Sequence, residues 1–231
     1  MASAFEFTPS VMIYSPDGRG STQKYDIYNS SPTSIPIEIS AVQREMTDDG
    51  KEIYKPTKDF NVYPRLFDLK PGESRTVKVT YVGDKKITQE HAYRIIAEQL
   101  KVDLGKKQNK KEEPSVKIDF LYKYETSAYV SPPNTKAKVE ISSFNVILNE
   151  KKEKMIEVVF NNKGTAHQVF QDWTLEIFPE GASAPISLDK KLIKNFPEFN
   201  ILSGSRLKIS VPWPANLKSN PRSVSYKVPS E

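Results

Sequence analysis

The chain repeats one pattern along most of its length, namely short runs in which apolar and polar residues alternate. At 76–81 valine and tyrosine alternate with threonine and lysine, and similar runs lie at 173–177, 207–211 and 224–228. Because successive side chains of a β-strand point to opposite faces, this period of two is typical of a strand with one buried face. Turn-forming residues separate the runs, as at 70–72. The pattern predicts an all-β protein.

Length and proline placement predict two domains. The 231 residues suffice for two cores of ordinary size, and 11 tyrosines with 11 phenylalanines favour β-rich cores over a helical bundle. The best boundary is Ser131-Pro132-Pro133-Asn134, because proline cannot donate a ladder hydrogen bond and stiffens an extended connection. We therefore predict domains at 1–131 and 135–231, the second a smaller β-sandwich.

Charge and composition argue against several functional classes. The net charge of +5 is spread thinly along the chain, so no nucleic-acid partner is predicted. No apolar run approaches the roughly 20 residues that cross a bilayer, so no membrane span is predicted. The first residues lack the basic and apolar segments of a secretory signal. The protein is therefore expected either to be cytosolic or to have lost a signal and regained an initiator methionine.

No catalytic or metal-binding motif is found. The chain has no cysteine, and its two histidines, His91 and His167, fall in different predicted domains, so no metal site, cofactor or histidine-based triad is predicted. The glycine-rich stretch 17–21 is predicted to be a hairpin turn rather than a phosphate-binding loop. Acidic pairs such as 48–49 lie in predicted loops, where a glycosidase pair would need a buried, convergent setting. We predict that the protein is not an enzyme.

The most informative segment runs from 114 to 132. Five apolar residues there alternate with polar or charged ones and share one face: Val116, Ile118, Phe120, Tyr122 and Tyr124. A long polar loop, 103–113, precedes them. Periodicity alone favours an ordinary sandwich strand that fills its own core. The alternative is a strand lent to another protein's incomplete fold, the mode known as β-augmentation.

The order of these features resembles the periplasmic pilus-assembly chaperones of the PapD-like group. In the first predicted domain the likeness rests on four stretches, 25–30, 69–74, 89–95 and 116–132. The second predicted domain contributes two vaguer matches, 158–162 and 201–205. The resemblance therefore spans most of the chain, as that of a divergent member.

The resemblance implies two immunoglobulin-like β-sandwich domains in tandem, arranged as an L with a cleft between them. It implies a periplasmic chaperone, with its signal peptide removed, that donates the 116–124 strand to pilus or fimbrial subunits and delivers them to an outer-membrane usher. It implies no cofactor, and self-association through edge strands is left open. Two rival hypotheses are a structural or adhesive two-domain protein without chaperone activity, and a carbohydrate-acting enzyme on a β-sandwich.

One feature of the resemblance is missing. In these chaperones an arginine in the first strand and a lysine near the end of the donor strand bind the terminal carboxylate of the pilin. The matching positions here lie near Val11 and near Ser127 or Glu125, and none is basic. A buried carboxylate needs paired donors, so Arg94 and Lys123 are the candidate basic anchors in the cleft. The other hypothesis is that the anchor is absent in this divergent branch.

Overall fold

The computed structural model describes residues 5–101, 121–170, 173–189 and 200–227. These residues form eighteen β-strands and one short 3-10 turn, with no α-helix among them. No helix in this described part is long and apolar enough to cross a membrane. The predicted all-β class is therefore confirmed.

The chain divides into two compact units. The first unit contains Met1–Arg44, Tyr54–Ile87 and His91–Pro132, and the second contains Glu45–Ile53, Thr88–Glu90 and Pro133–Glu231. The chain passes from the first unit to the second for the last time between Pro132 and Pro133, within the predicted proline linker.

The strands up to residue 130 form two sheets. Their bounds are β1 Glu6–Thr8, β2 Val11–Tyr14, β3 Thr22–Tyr28, β4 Ile35–Met46, β5 Glu52–Pro56, β6 Phe60–Tyr63, β7 Leu66–Leu69, β8 Ser74–Tyr81, β9 His91–Gln99 and β10 Lys123–Val130. One sheet has the order β1-β3-β8-β6, and the other has the order β2-β10-β9-β4-β5, with β7 also paired to β4. The described pairs are antiparallel except β2 with β10, which is parallel.

The alternation seen in the sequence produces the core of the first unit. Val77, Val79 and Tyr81 of β8 are buried, whereas the residues between them are exposed or half-buried. Tyr25 of β3 and Tyr93 of β9 are buried in the same core. Because the inward positions of both sheets are apolar, the two sheets enclose one continuous core.

The prediction of a hairpin turn at 17–21 is wrong. The segment forms a 3-10 turn, Arg19–Ser21, between β2 and β3, and these two strands belong to different sheets. β2 pairs with β10, which is more than a hundred residues away in the chain, whereas β3 pairs with β1 and β8. A local Asp-Gly signal predicts a hairpin between adjacent strands, but it cannot reveal that the following strand pairs in another sheet.

The second unit has its own strands and core. Its strands are β11 Val139–Leu148, β12 Lys154–Asn162, β13 Gln168–Val169, β14 Thr174–Pro179, β15 Ile186–Asp189, β16 Asn200–Ile201, β17 Arg206–Pro212 and β18 Pro221–Lys227. They form three sheets of order β11-β12-β17, β13-β16 and β15-β14-β18. Phe160 lies in this core, with its ring 5.8 Å from Phe170, 6.0 Å from Trp173 and 5.6 Å from Tyr226.

Each unit contains a buried asparagine at or just after the end of a strand. Asn162 ends β12 and Asn29 follows β3, and both are fully buried. The backbone amide of Asn29 donates to the carbonyl of Glu73 at 3.0 Å, and that of Asn162 donates to the carbonyl of Ser205, also at 3.0 Å. The same local arrangement therefore occurs in both units.

The side chains of the two asparagines satisfy buried backbone groups. Asn29 Nδ2 donates to the carbonyls of Thr33 and Leu69, at 2.9 and 2.8 Å. The Asn162 side chain has five backbone partners: the carbonyls of Ala166 (2.8 Å), Ile201 (3.1 Å) and Leu202 (3.2 Å), and the amides of Gly164 (2.9 Å) and Lys138 (3.1 Å). Because buried backbone groups need partners, each amide side chain stabilises a turn that lacks regular ladder bonds.

Candidate functional site

The last strand of the first unit, β10, has strand neighbours on both sides along only half of its length. On one side it pairs with β9 from Lys123 to Val130. On the other side it pairs with β2 only from Ser127 to Val130. Among the described residues no strand lies beside the other half, Lys123–Thr126, on that side. The first half of β10 therefore has one open edge.

The hydrogen bonds show which backbone groups face this edge. The amide of Ser127 donates to the carbonyl of Ser10 at 2.8 Å, on the β2 side. Neighbouring residues of a strand direct their backbone groups to opposite sides, so the odd-numbered residues of β10 face the β2 side. Lys123 and Glu125 share that parity, and their amide and carbonyl groups point to the open edge.

The even-numbered side chains face the core of the first unit. Tyr122 and Tyr124 are half-buried and pack against that core. The ring of Tyr124 lies 4.7 Å from the ring of the buried Phe5, in an edge-on arrangement. These two members of the predicted donor face therefore pack against the protein's own unit. The other three, Val116, Ile118 and Phe120, lie outside the described residues, as does the loop at 103–113.

Of the positions at which the resemblance leads one to expect basic residues, Val11 and Ser127 are neighbours, whereas the alternative position, Glu125, lies two residues before Ser127. Val11 of β2 is the register partner of Ser127 of β10, and Ser127 is also the register partner of Arg94 of β9. Arg94 Nη1 donates to Ser127 Oγ at 2.6 Å. The guanidinium of Arg94, on β9, thus lies in the same cross-strand row as Val11 of β2 and Ser127 of β10.

Next to this row, a carboxylate of the chain itself forms a cluster with Arg94, Lys123 and Tyr54. Glu125 Oε1 is 2.8 Å from Lys123 Nζ, and Glu125 Oε2 accepts a hydrogen bond from the Tyr54 hydroxyl at 2.6 Å. Partial burial acts to raise the pKa of Glu125, but the hydrogen bonds from Lys123 and Tyr54 and the charge of Arg94 outweigh it and hold that pKa below its usual range. The cluster therefore keeps a carboxylate ionised at neutral pH.

Sequence reasoning named Arg94 and Lys123, and both lie in this cluster, but it missed Tyr54. Tyr54 is on β5, 71 residues from its partner Glu125. It also missed Arg44 of β4, which is buried and donates to the Tyr129 hydroxyl at 3.1 Å. Both reach β10 only because β4 and β5 follow β9 in the sheet, and a single sequence carries no local signal for that order.

Comparison with solved structures finds the same fold in fimbrial chaperone structures. A chain of the chaperone–tip adhesin complex of CFA/I fimbriae biogenesis has a TM-score of 0.61 and 16% identity, over 99% of this chain and 93% of that one. The class 5 fimbriae chaperone CfaA gives 0.59 and 16%, over 98% and 92%. The CsuC–CsuE chaperone–tip subunit complex of Acinetobacter baumannii gives 0.58 and 14%, over 93% and 90%.

A search of curated protein sequences finds no match. Residues 4–126, more than half of the chain, match the family described as pili and flagellar-assembly chaperone, PapD N-terminal domain. The matched region contains the whole first sheet and the first half of β10, so it includes the open edge together with Tyr54, Arg94, Lys123 and Glu125, and it ends one residue before Ser127. The chain belongs to the family of pili and flagellar-assembly chaperones.

Proposed function

We propose that this protein is a periplasmic chaperone that binds pilus or fimbrial subunits by strand donation and delivers them to an outer-membrane usher. Membership of the chaperone family supports the chaperone role. The similar CFA/I and Csu structures are complexes of a chaperone with a tip subunit, which supports pilus subunits as the partners. In this proposal the domain 1–131 carries the donor strand, and the domain 135–231 is the smaller sandwich.

The open edge of β10 is the observation that carries the proposal. Lys123 and Glu125 direct backbone groups to a side where no described strand lies, and the alternating segment 116–124 leads up to these residues in the sequence. A strand of a partner placed there would continue the sheet by main-chain hydrogen bonds. The apolar side chains before Tyr122 would fill the partner's core, while Tyr122 and Tyr124 hold the strand to its own unit.

The energy of such an exchange comes from burial and needs no nucleotide. Each fully buried large apolar side chain is worth about 1.5–3 kcal/mol. Val116, Ile118 and Phe120 together therefore supply enough to offset part of the ordering entropy of a partner that lacks a strand. Release to the usher then depends on the difference between two binding free energies, as one donated strand is exchanged for a better-fitting one.

Two variants test strand donation by separate routes. Ile118→Asp combined with Phe120→Asp places charges on the donor face, and we expect recovery of a co-expressed fimbrial subunit to be lost. Lys123→Pro removes one amide from the open edge without removing a β9 ladder bond, since Lys123 faces away from β9. One hydrogen bond contributes about 0.5–1.5 kcal/mol, so we expect subunit affinity to fall roughly two- to tenfold.

Lys123→Ala is the matched control, because it removes the same charge but keeps the amide. We expect it to bind the subunit better than Lys123→Pro does. Thermal unfolding of each variant without subunit shows whether the fold is retained. If the double aspartate variant and Lys123→Pro are folded and recover as much subunit as the native protein, strand donation is refuted, and a structural or adhesive role becomes the better hypothesis.

We further propose Arg94, assisted by Lys123, as the group that binds the terminal carboxylate of the subunit. Lys123 forms an ion pair with the carboxylate of Glu125, and the charge of Arg94 lowers the pKa of that carboxyl group, which supports a role for both cations in binding an anion. Arg94 is the stronger candidate because it lies in the row of Val11 and Ser127. A guanidinium also offers the fork of donors that a carboxylate accepts.

For Arg94→Ala we expect the subunit dissociation constant to rise about tenfold or more, the equivalent of about 1.4 kcal/mol. Arg65→Ala is the control, because Arg65 pairs at 2.9 Å with the carboxylate of Glu38 on β4, which β9 separates from β10. Isothermal titration with a subunit and with the same subunit lacking its terminal carboxylate separates the contributions. The anchor assignment fails if Arg94→Ala weakens both subunits equally.

A further inference from the structure

Among the residues that the structure describes, β11 of the second unit has a strand neighbour on one side only, so its other edge is open. β11 lies at the end of the order β11-β12-β17. The amide of Asn149 donates to the carbonyl of Glu153 at 3.0 Å, so the odd-numbered residues near the end of β11 face β12. The even-numbered residues Phe144, Val146 and Leu148 therefore direct their amides and carbonyls away from the sheet.

The beginning of the same strand is covered. The carbonyl of Val139 accepts a hydrogen bond from the Tyr226 hydroxyl at 2.8 Å. The register then shifts between Ile141 and Ser143, where a bulge interrupts the edge. The open part is thus confined to 143–148.

Beyond the bulge, the open part at 143–148 carries no charged residue and no proline to protect it. Val146 is 41% exposed and Leu148 is 62% exposed. From Ile141 to Asn149 the chain carries no charge, no proline and no glycine. Native proteins usually place lysine, proline or a bulge on an edge that must stay unpaired. An uncharged stretch of high β-propensity with unpaired backbone groups is instead typical of a strand that pairs.

We propose that this edge pairs with the same edge of a second copy of the chain, antiparallel about a twofold axis at Val146. Such an axis places one residue opposite itself. With Val146 at the axis, Phe144 of each copy lies opposite Leu148 of the other, and the three outward-facing residues bond across the interface. An axis at Phe144 would instead place Val146 opposite Ser142 of the bulge and Leu148 opposite Glu140. Only an axis at Val146 places apolar residues opposite one another at all three positions, so we place the axis there.

The size of the contact sets its strength. Stable specific interfaces bury about 1,200–2,000 Å², and a pairing of about five residues per copy buries less than that. The dimer is consequently weak and forms at high protein concentration. It uses β11 rather than β10, so it does not depend on the proposed strand donation.

Sedimentation velocity of the full chain over a range from low micromolar to near millimolar tests the pairing. The native protein is expected to shift from monomer to dimer as its concentration rises. Val146→Lys and Val146→Glu each place like charges opposite one another at the axis, and each is expected to lose the dimer. An equimolar mixture of these two variants is expected to recover it, as a heterodimer. Asn145→Lys, one residue away on the opposite face, is the control and is expected to retain it.

Three results would overturn the pairing. The first is a dimer that Val146→Lys leaves unchanged. The second is a mixture of folded Val146→Lys and Val146→Glu that stays monomeric. The third is a native protein that stays monomeric up to near millimolar concentration. If Val146→Lys then also loses co-expressed subunit, the edge is assigned to a subunit strand instead. Intrinsic fluorescence of each variant establishes that its second unit is folded.

Discussion

Replacing Asn162 with alanine is expected to destabilise the second unit by about 3 kcal/mol or more. The substitution leaves three carbonyls and two amides near the end of β12 without the partner that the side chain supplies. A buried polar group that loses its partner costs about 1–3 kcal/mol, and the side chain is fully buried, so water replaces few of these bonds. Urea unfolding followed by tryptophan fluorescence measures the loss.

The readout is specific, because both tryptophans of the chain, Trp173 and Trp213, lie in the second unit. The neighbouring Asn161→Ala is the control: Asn161 is only half-buried, so its replacement is expected to change stability by less than about 1 kcal/mol. Equal destabilisation by the two alanines would show that strand composition, and not the amide bonds of Asn162, stabilises this region.

Replacing Tyr25 with alanine is expected to cost the first unit about 3–5 kcal/mol, the range for a buried aromatic side chain. Tyr25 is fully buried, and its ring stacks on Phe7 with 5.2 Å between centroids. Its hydroxyl accepts a hydrogen bond from that of Tyr14 at 3.3 Å, in a site buried enough to raise the pKa of both phenols. Alanine would leave a cavity between the two sheets.

Hydrogen exchange read by mass spectrometry over peptides of β3 and β8 measures this loss, since the first unit contains no tryptophan. Tyr25→Phe keeps the ring and removes one hydroxyl, so a cost of only about 1 kcal/mol is expected. Similar protection in the alanine and phenylalanine variants would contradict the cavity argument.

Much of the strand content could be predicted, because a strand with one buried face has alternating apolar and polar residues. The runs at 76–81 and 207–211 are β8 and β17, and in each the apolar positions are buried. Which strands pair with each other has no comparable local pattern. The parallel contact of β2 with β10 and the sheet change at 17–21 depend on strands far apart in the chain, so the local turn signal led to a wrong hairpin.

The candidate site was predictable in part for the same reason. Alternation identified the strand that ends in β10, and it placed Tyr122 and Tyr124 on one face, but it could not say whose core that face fills. The structure places these two rings on the protein's own core. The cluster of Tyr54 with Glu125 was not predictable, because it needs the order of strands across a whole sheet.

The open edge of β10 has a consequence for how such proteins diverge. Its contacts would be made by amide and carbonyl groups, which every residue except proline supplies in full, so replacements at 123 and 125 leave the edge intact. Side chains that point into a core are constrained much more tightly by the shape around them. A surface of this kind can persist through extensive sequence drift, in keeping with a fold shared at 16% identity.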